Sequence, residues 1–265
     1  MNYSYNTILI TGATSGIGKS LAIHYARPGI ILCLTGRNKQ RLSDVTTLCE
    51  ERGAVVKSAV CDVSHTEKFT KWVEQLDRDH TIDLVIANAG ISGGTAGHLY
   101  TEPVAQARQI FDVNVGGVLN TIEPVLQNMI KRQSGQIALV SSLAGYSGWP
   151  GAPAYSAAKS AVRIYGEALR PSVKRYGVKI NVICPGFIKT PMTDVNDYKM
   201  PFMITADKAA KIIAKGLHKN KGRICFPWPT YFTAGIMGLL PYWLSSFVMR
   251  DLPGKPALQG TLPRP

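Results

Sequence analysis

The stretch "TILITGATSGIG", residues 7–18, decides how the rest of the chain is read. Its first five residues, 7–11, are β-branched or apolar, as in a strand buried on both faces. Gly12, Gly16 and Gly18 follow at the spacing G-x3-G-x-G, with Thr14, Ser15 and Ile17 between them. Residues 16–27 then read as a helix. Glycines at a strand-to-helix turn let the backbone bend tightly and come close to a ligand. The helix start adds free N–H groups and a partial positive charge, which suit a pyrophosphate. The spacing is not the commoner G-x-G-x-x-G, so the position of the loop after a first strand carries more weight than the glycines alone.

Outward from this loop, apolar runs alternate with helical stretches. Strands are expected at 30–35, 54–60, 82–88, 135–142, 178–184 and 223–226. Helices are expected near 38–52, 65–79, 153–176 and 205–218, with two more filling 102–132. Such alternation, with nearly continuous apolar strands, implies a parallel sheet covered on both faces. Right-handed crossovers then give a doubly wound α/β sheet of the Rossmann type, of about seven strands. Ligands in such sheets bind beyond the carboxyl ends of the strands. Residues 1–226 are expected to form the dinucleotide-binding catalytic domain, and 227–265 an apolar segment and tail of that same domain.

The second strand ends in "LTGRN", residues 34–38. An acidic residue there would hold a ribose 2′-hydroxyl and select NAD. Gly36 stands in that place and Arg37 follows, and arginine pairs bidentately with a phosphate. The expected cofactor is therefore NADP, with uncharged Ser15 and Asn38 as further aids to the same phosphate. Asp62 and Val63, after the third strand, are placed to meet the adenine, although Ser64 accounts for part of that turn as a cap.

A further stretch, "AYSAAK" (154–159), puts Tyr155 and Lys159 four apart, on one face of a helix. At about 5 Å and an effective dielectric of about 20, an ammonium stabilises a tyrosinate by about 3 kcal/mol, or about two pKa units. Such a tyrosine approaches the range useful for proton transfer.

The glycine loop, "NAG" (88–90), Asn114, Ser142, "YSAAK" (155–159) and "PG" (185–186) occur in this order. With them the chain resembles the classical short-chain dehydrogenase/reductases over roughly residues 5–226. The resemblance implies an NADP(H)-dependent oxidoreductase that interconverts a ketone and a secondary alcohol. It implies Tyr155 as general acid/base, Lys159 as its electrostatic partner and a ribose ligand, and Ser142 as hydrogen-bond donor to the substrate oxygen, with Ser141 as competitor. Asn114 would hold a water in a relay to Lys159. Asn88, Ala89 and Gly90 would border the cofactor, and Pro185, Gly186, Ile188 and Thr190 would meet its carboxamide end. The family also implies a homodimer or homotetramer paired through the long helices on either side of the "IALVS" strand. A cofactor-binding, membrane-peripheral regulatory protein with little turnover is the alternative.

Composition limits the remaining classes. The 265-residue chain carries a net charge of +13 and a pI near 9.6. Residues 163–223 alone hold 13 Lys/Arg against four Asp/Glu. No zinc motif or aromatic-rich basic groove accompanies them, so nucleic acid is not the expected partner. Five scattered cysteines, without a CxxC pair or a Cys/His cluster, indicate reduced thiols, a cytoplasmic setting and no metal. The opening "MNYSYNTILI" reads as a first strand rather than a signal peptide.

Residues 224–249 carry no charge over 26 positions. Pro227, Pro229 and Pro241 interrupt them, and the longest proline-free stretch, 230–240, is too short to span a bilayer. A lid over the substrate cleft, a segment lying in a membrane interface and a true span are the three readings. The first two are compatible and favour an apolar substrate. Upstream Lys208, Lys211, Lys215, Lys219, Lys221 and Arg223 would favour anionic lipid. The Pro-rich tail from Pro253 to Pro265 is expected to be mobile or to serve as an arm on a partner subunit.

Overall fold

The computed structural model describes residues 5–95, 101–250 and 252–258. Residues 1–4 of the expected first strand and the last part of the tail, 259–265, lie outside them. The chain runs β1 (Thr7–Thr11), α1 (Gly16–Tyr25), β2 (Ile31–Gly36), α2 (Lys39–Glu50), β3 (Val55–Val60), α3 (Thr66–His80) and β4 (Leu84–Ala87). There follow α4 (Val104–Phe111), a π-helical turn (Asp112–Gly116), α5 (Gly117–Lys131), β5 (Gly135–Val140), α6 (Pro153–Lys174) and β6 (Val178–Pro185). Two short strands, β7 (Ile188–Lys189) and β8 (Ile204–Thr205), pair with each other. The chain then continues through α7 (Ala206–His218), β9 (Arg223–Phe226), α8 (Trp228–Leu239) and α9 (Tyr242–Met249).

Seven strands form one parallel sheet in the order β3-β2-β1-β4-β5-β6-β9. Alternate residues of the central strands feed two separate cores, as the period of two requires. Ile8, Ile10, Leu84, Ile86, Ala138 and Val140 face α1, α2 and α7. Leu9, Val85, Ala87, Ile137 and Leu139 face α3, α5 and α6. Both faces are therefore apolar, which is why the strands read as continuous hydrophobic runs. The order reverses between β1 and β4, so their carboxyl ends open a crevice.

The 102–132 region is one nearly continuous rod: the π-turn joins α4 to α5 and carries Asn114. Beyond β9, the prolines act as sequence punctuation. Pro227 and Pro241 precede the first residues of α8 and α9, positions where a missing N–H costs nothing. Among the described residues no helix is long and apolar enough to cross a membrane. The tail departs from expectation. Residues 253–258 are bonded to their own chain: the Trp149 Nε1–H donates to the Pro253 carbonyl (2.9 Å), the Gly94 N–H to Pro256 (3.0 Å), and the Lys255 N–H to Gly151 (3.2 Å).

Candidate active site

The glycine loop leaves β1 with Gly12 and Gly16 in the left-handed region, at φ +65° and +53°. Gly18 has no room for a side chain: a Cβ there would lie 2.3 Å from the Gly12 carbonyl oxygen and 2.6 Å from Asn88 Nδ2. Asn88 ties the two crevice strands together, its Nδ2 donating to the Thr11 carbonyl at 2.9 Å and to Gly12 at 3.2 Å. The Asn88 and Ala89 N–H groups donate to Thr11 Oγ1, each at 3.0 Å. The loop is thus held open as a cradle of backbone, the form a pyrophosphate requires.

A cavity of about 790 Å³ runs from this cradle to the C-terminal helices. Gly12, Thr14, Ser15, Gly16, Ile17, Arg37, Asp62, Val63, Asn88, Ala89 and Gly90 line one part of it, and Ser142, Tyr155, Lys159, Pro185, Gly186, Ile188 and Thr190 line the rest. Gly18 and Asn114 lie behind its wall. Asn114 is fully buried, and its side chain is held by backbone: Oδ1 accepts from the Ile91 N–H (2.8 Å) and Nδ2 donates to the Ile91 carbonyl (2.9 Å). It nevertheless adjoins Lys159. A Cβ on Gly90 would lie 3.1 Å from Asn114 Oδ1 and 3.3 Å from Lys159 Nζ.

Arg37 is half-exposed, with Nη1 3.7 Å from Asp62 Oδ2. Burial would raise the Asp62 pKa, but hydrogen bonds from the Ser64 N–H and hydroxyl, with the Arg37 charge, bring it below the usual carboxylate value. Arg41, which sequence reasoning missed, also lines this end. It lies in the first turn of α2, four residues after Arg37, and that proximity in sequence was the available signal. Gly36 packs against Thr14, where a Cβ would meet Thr14 Cγ2 at 2.3 Å. The position expected for an acidic residue therefore admits no side chain unless Thr14 moves.

At the other end, Ser141 and Ser142 have distinct roles. Ser141 Oγ is buried and donates to the Lys159 carbonyl at 2.6 Å. Ser142 Oγ reaches the cavity that Tyr155 also lines; it donates to the Pro185 carbonyl at 3.4 Å and accepts from the Ala144 N–H at 3.1 Å. Burial raises the Tyr155 pKa, and the nearby Ser142 hydroxyl only partly offsets it. This overturns the expectation that Lys159 lowers it. The Lys159 ammonium lies 5.9 Å from the Tyr155 ring centroid and donates to the Val140 carbonyl at 2.9 Å. It is itself desolvated: burial, then the charge of Lys255, push its pKa down to about 8. Lys255 on the tail has the same value, about 8, through burial of its ammonium end. Trp149, Phe187 and Tyr198 form a triangle of rings, with centroids 6.3 to 6.4 Å apart, at this end of the cavity. Loop and tail positions such as Lys255, Trp149 and Tyr198 left no spacing pattern by which to find them.

A parallel doubly wound sheet with a glycine cradle at its switch point, and a serine–tyrosine–lysine set beside it, defines a nucleotide-binding oxidoreductase. The family model described as "short chain dehydrogenase" matches residues 6–200, and the chain belongs to that family. An uncharacterized oxidoreductase of Myxococcus xanthus is 34% identical over 250 residues, which cover 94% of this chain and 98% of the relative. In fold, the chain is similar to a short-chain dehydrogenase from Sphingobium yanoikuyae in complex with NADPH (TM-score 0.75, 23% identity, covering 89% of this chain and 96% of that one). It is also similar to a 3-oxoacyl-[acyl-carrier protein] reductase with bound NAD from Brucella melitensis (TM-score 0.73, 25% identity, covering 85% and 91%).

Proposed function

We propose that this oxidoreductase uses NADP(H) to interconvert a ketone and a secondary alcohol on an apolar substrate, in the reductive direction. The observation that carries this reading is the convergence of Ser142, Tyr155 and Lys159 on one cavity with the glycine cradle and Arg37. NADPH, when bound, supplies the hydride. Arg37 and Arg41 hold the 2′-phosphate, and Asp62 and Val63 border the adenine. Asn88, Ala89 and Gly90 keep the middle of the cleft open to the cofactor, while Pro185, Gly186, Ile188 and Thr190 bound its reactive end. Residues 1–226 form the catalytic unit, and 227–265 its cover.

Ser142 Oγ orients the substrate carbonyl and stabilises negative charge developing on its oxygen. Tyr155 donates its phenolic proton to that oxygen, and a phenol that is protonated at neutral pH is already in the form reduction needs. Lys159 stabilises the resulting tyrosinate at short range in a dry site, and a fresh proton from solvent, relayed by way of Asn114 and Lys159, restores the phenol. NADPH absorbance over a panel of apolar ketones tests this. Tyr155→Phe should abolish consumption while NADPH still binds. A wild type that binds NADPH but consumes it with no ketone fits the regulatory reading instead.

Two surfaces extend the proposal. Phe111 and Leu119 on the α4–α5 rod and Ile164 and Tyr165 on α6 are exposed, which supports pairing of copies through these helices. A monomeric mass by light scattering at micromolar concentration would refute that. Helices α8 and α9 turn Thr233, Ala234, Met237, Val248 and Met249 to the cavity and leave Trp228, Phe232, Leu239, Tyr242, Trp243 and Phe247 60% exposed or more. The basic run from Lys208 to Arg223 adjoins them in sequence. This combination favours peripheral attachment to an anionic membrane, with the cavity cover facing the lipid.

A further inference from the structure

We propose that Lys255 anchors a carboxylate on the substrate, so that the molecule turned over is an apolar α- or β-keto acid or the matching hydroxy acid; this rests on the carbonyl-reduction reading above. Lys255 does not hang from a free end. Its own N–H donates to the Gly151 carbonyl, and the flanking Pro253 and Pro256 carbonyls accept from Trp149 and Gly94. Gly151 and Gly254 touch so closely that a Cβ on Gly151 would lie 2.3 Å from Gly254 Cα. Leu258 closes the strap, its N–H donating to Gln106 Oε1 at 2.6 Å.

This anchoring sends the Lys255 side chain into the cavity. Nζ donates to Ser92 Oγ at 2.8 Å and lies 4.0 Å from the centroid of the Tyr155 ring. Lys159 Nζ lies 5.9 Å from that same centroid. Two ammonium groups therefore flank one phenol. Among the described residues neither makes an ion pair with a carboxylate. Glu102, on the neighbouring segment, bonds instead to the Ala154 N–H (2.8 Å) and Gln106 Nε2 (2.7 Å). A buried cation without a counter-ion is costly. A hydroxyl and a ring face offset only part of that cost. Beyond burial, repulsion from the Lys255 charge also disfavours the Lys159 ammonium. An anionic group entering the cavity would relieve both.

The geometry also sets where that anion sits on the molecule. The substrate carbonyl meets Ser142 and the Tyr155 phenol, and Lys255 stands over the same ring. A carboxylate directly attached to the carbonyl carbon, or one carbon removed, reaches the ammonium without leaving the Tyr155 neighbourhood. The remainder of the substrate then lies against Trp149, Phe187, Tyr198 and Met237, and these call for an apolar chain.

The test uses the full chain saturated with NADPH. Octanoate is titrated calorimetrically, with octanol as the uncharged control, into wild type, Lys255→Met and Lys255→Arg. Octanoate affinity should fall about tenfold or more in Lys255→Met, as for the loss of one charge-assisted hydrogen bond, and largely persist in Lys255→Arg. Octanol should not discriminate. In turnover, the preference for an α-keto acid over its methyl ester should collapse in Lys255→Met. Equal octanoate binding by wild type and Lys255→Met overturns the assignment, even if neutral ketones are reduced. Octanoate binding that depends on Lys255, without consumption of any ketone, upholds the anion site and removes the carbonyl-reduction reading instead. Should Lys255→Met lose its cooperative melt, the wild type decides: absence of an acid-over-ester preference overturns the proposal.

Discussion

Replacing Lys159 with methionine should stabilise the cofactor-free protein at neutral pH, although it removes the ammonium proposed to serve proton transfer. The ammonium is buried, and among the described residues its hydrogen bond runs to the Val140 carbonyl at 2.9 Å. Its pKa is about 8 in the fold against 10.5 for a solvated lysine. Below about pH 8 both folded and unfolded chains carry the proton, and the folded state bears the full desolvation penalty. Between about 8 and 10.5 the folded state has released the proton while the unfolded chain keeps it. The unfolded state then binds more protons, and stability rises with pH. The gap corresponds to about 3 kcal/mol. Methionine removes that penalty and leaves the Val140 carbonyl without this partner, at about 1 kcal/mol. The net gain near pH 7 is about 2 kcal/mol, and above the window it turns into a small loss. Urea denaturation of wild type and Lys159→Met near pH 7 and near pH 10 measures this. Titration of the other groups exposed on unfolding is common to both proteins and cancels in the difference. Parallel stability–pH curves for the two proteins would refute the reasoning.

Arg37→Ala should weaken NADPH binding by one to two decades and NADH much less, following the loss of about 1.5–3 kcal/mol from a charge-assisted contact; a wild type that prefers NADH in direct titration would contradict the phosphate assignment. Flotation with anionic vesicles should recover the full chain at low salt and release much of it at high salt, because each aromatic of α8 and α9 inserted contributes about 1.5–3 kcal/mol and each nearby Lys or Arg about 1 kcal/mol. Truncation after Arg223 should abolish flotation. Full-length protein that stays in solution beside such vesicles, with a mass above that of a monomer, would assign the exposed aromatics to contact between copies.

Much of the fold was legible because its determinants are local and repetitive. A strand covered on both faces is apolar or β-branched along its length, and "TILIT" and "IALV" carry that demand openly. The glycine cradle was legible for a different reason. Positive φ at Gly12 and Gly16, and the contact of Gly18 with the Gly12 carbonyl, leave glycine as the residue that fits. Tyr155 and Lys159 were readable as a pair from one helical turn. The sign of the Tyr155 shift was not readable, because it depends on desolvation, a property of everything packed around the ring. The sequence estimate placed an undiminished lysine charge beside the phenol. In the folded protein that lysine is itself desolvated and turned toward Val140. Lys255 was hidden altogether. It lies 100 residues from Tyr155 in the chain, within a tail whose prolines read as a mobile end. Its position depends on contacts of Gly151 with Gly254 and of Trp149 with Pro253, which leave no periodic trace.

These placements give the basic excess of the chain a specific meaning inside the cavity. Arg37 and Arg41 line the cavity at the glycine-cradle end, and Lys159 and Lys255 stand together beside Tyr155. The two arginines are the kind that tolerates a phosphate in water, a planar fork that stays charged whatever its surroundings. The two interior cations are lysines, whose ammonium releases its proton when desolvated, and both have pKa values drawn down to about 8. A lysine at Lys159 can therefore respond to the charge state of Tyr155 during proton transfer, which an arginine cannot do. At Lys255, whose pKa of about 8 leaves the ammonium mostly protonated at neutral pH, an acidic substrate supplies the missing counter-charge and a neutral one does not. Selection for an anion would then arise from the desolvation that the tail imposes as it folds across Gly94 and Gly151, and loosening that strap should weaken the selection even with Lys255 intact.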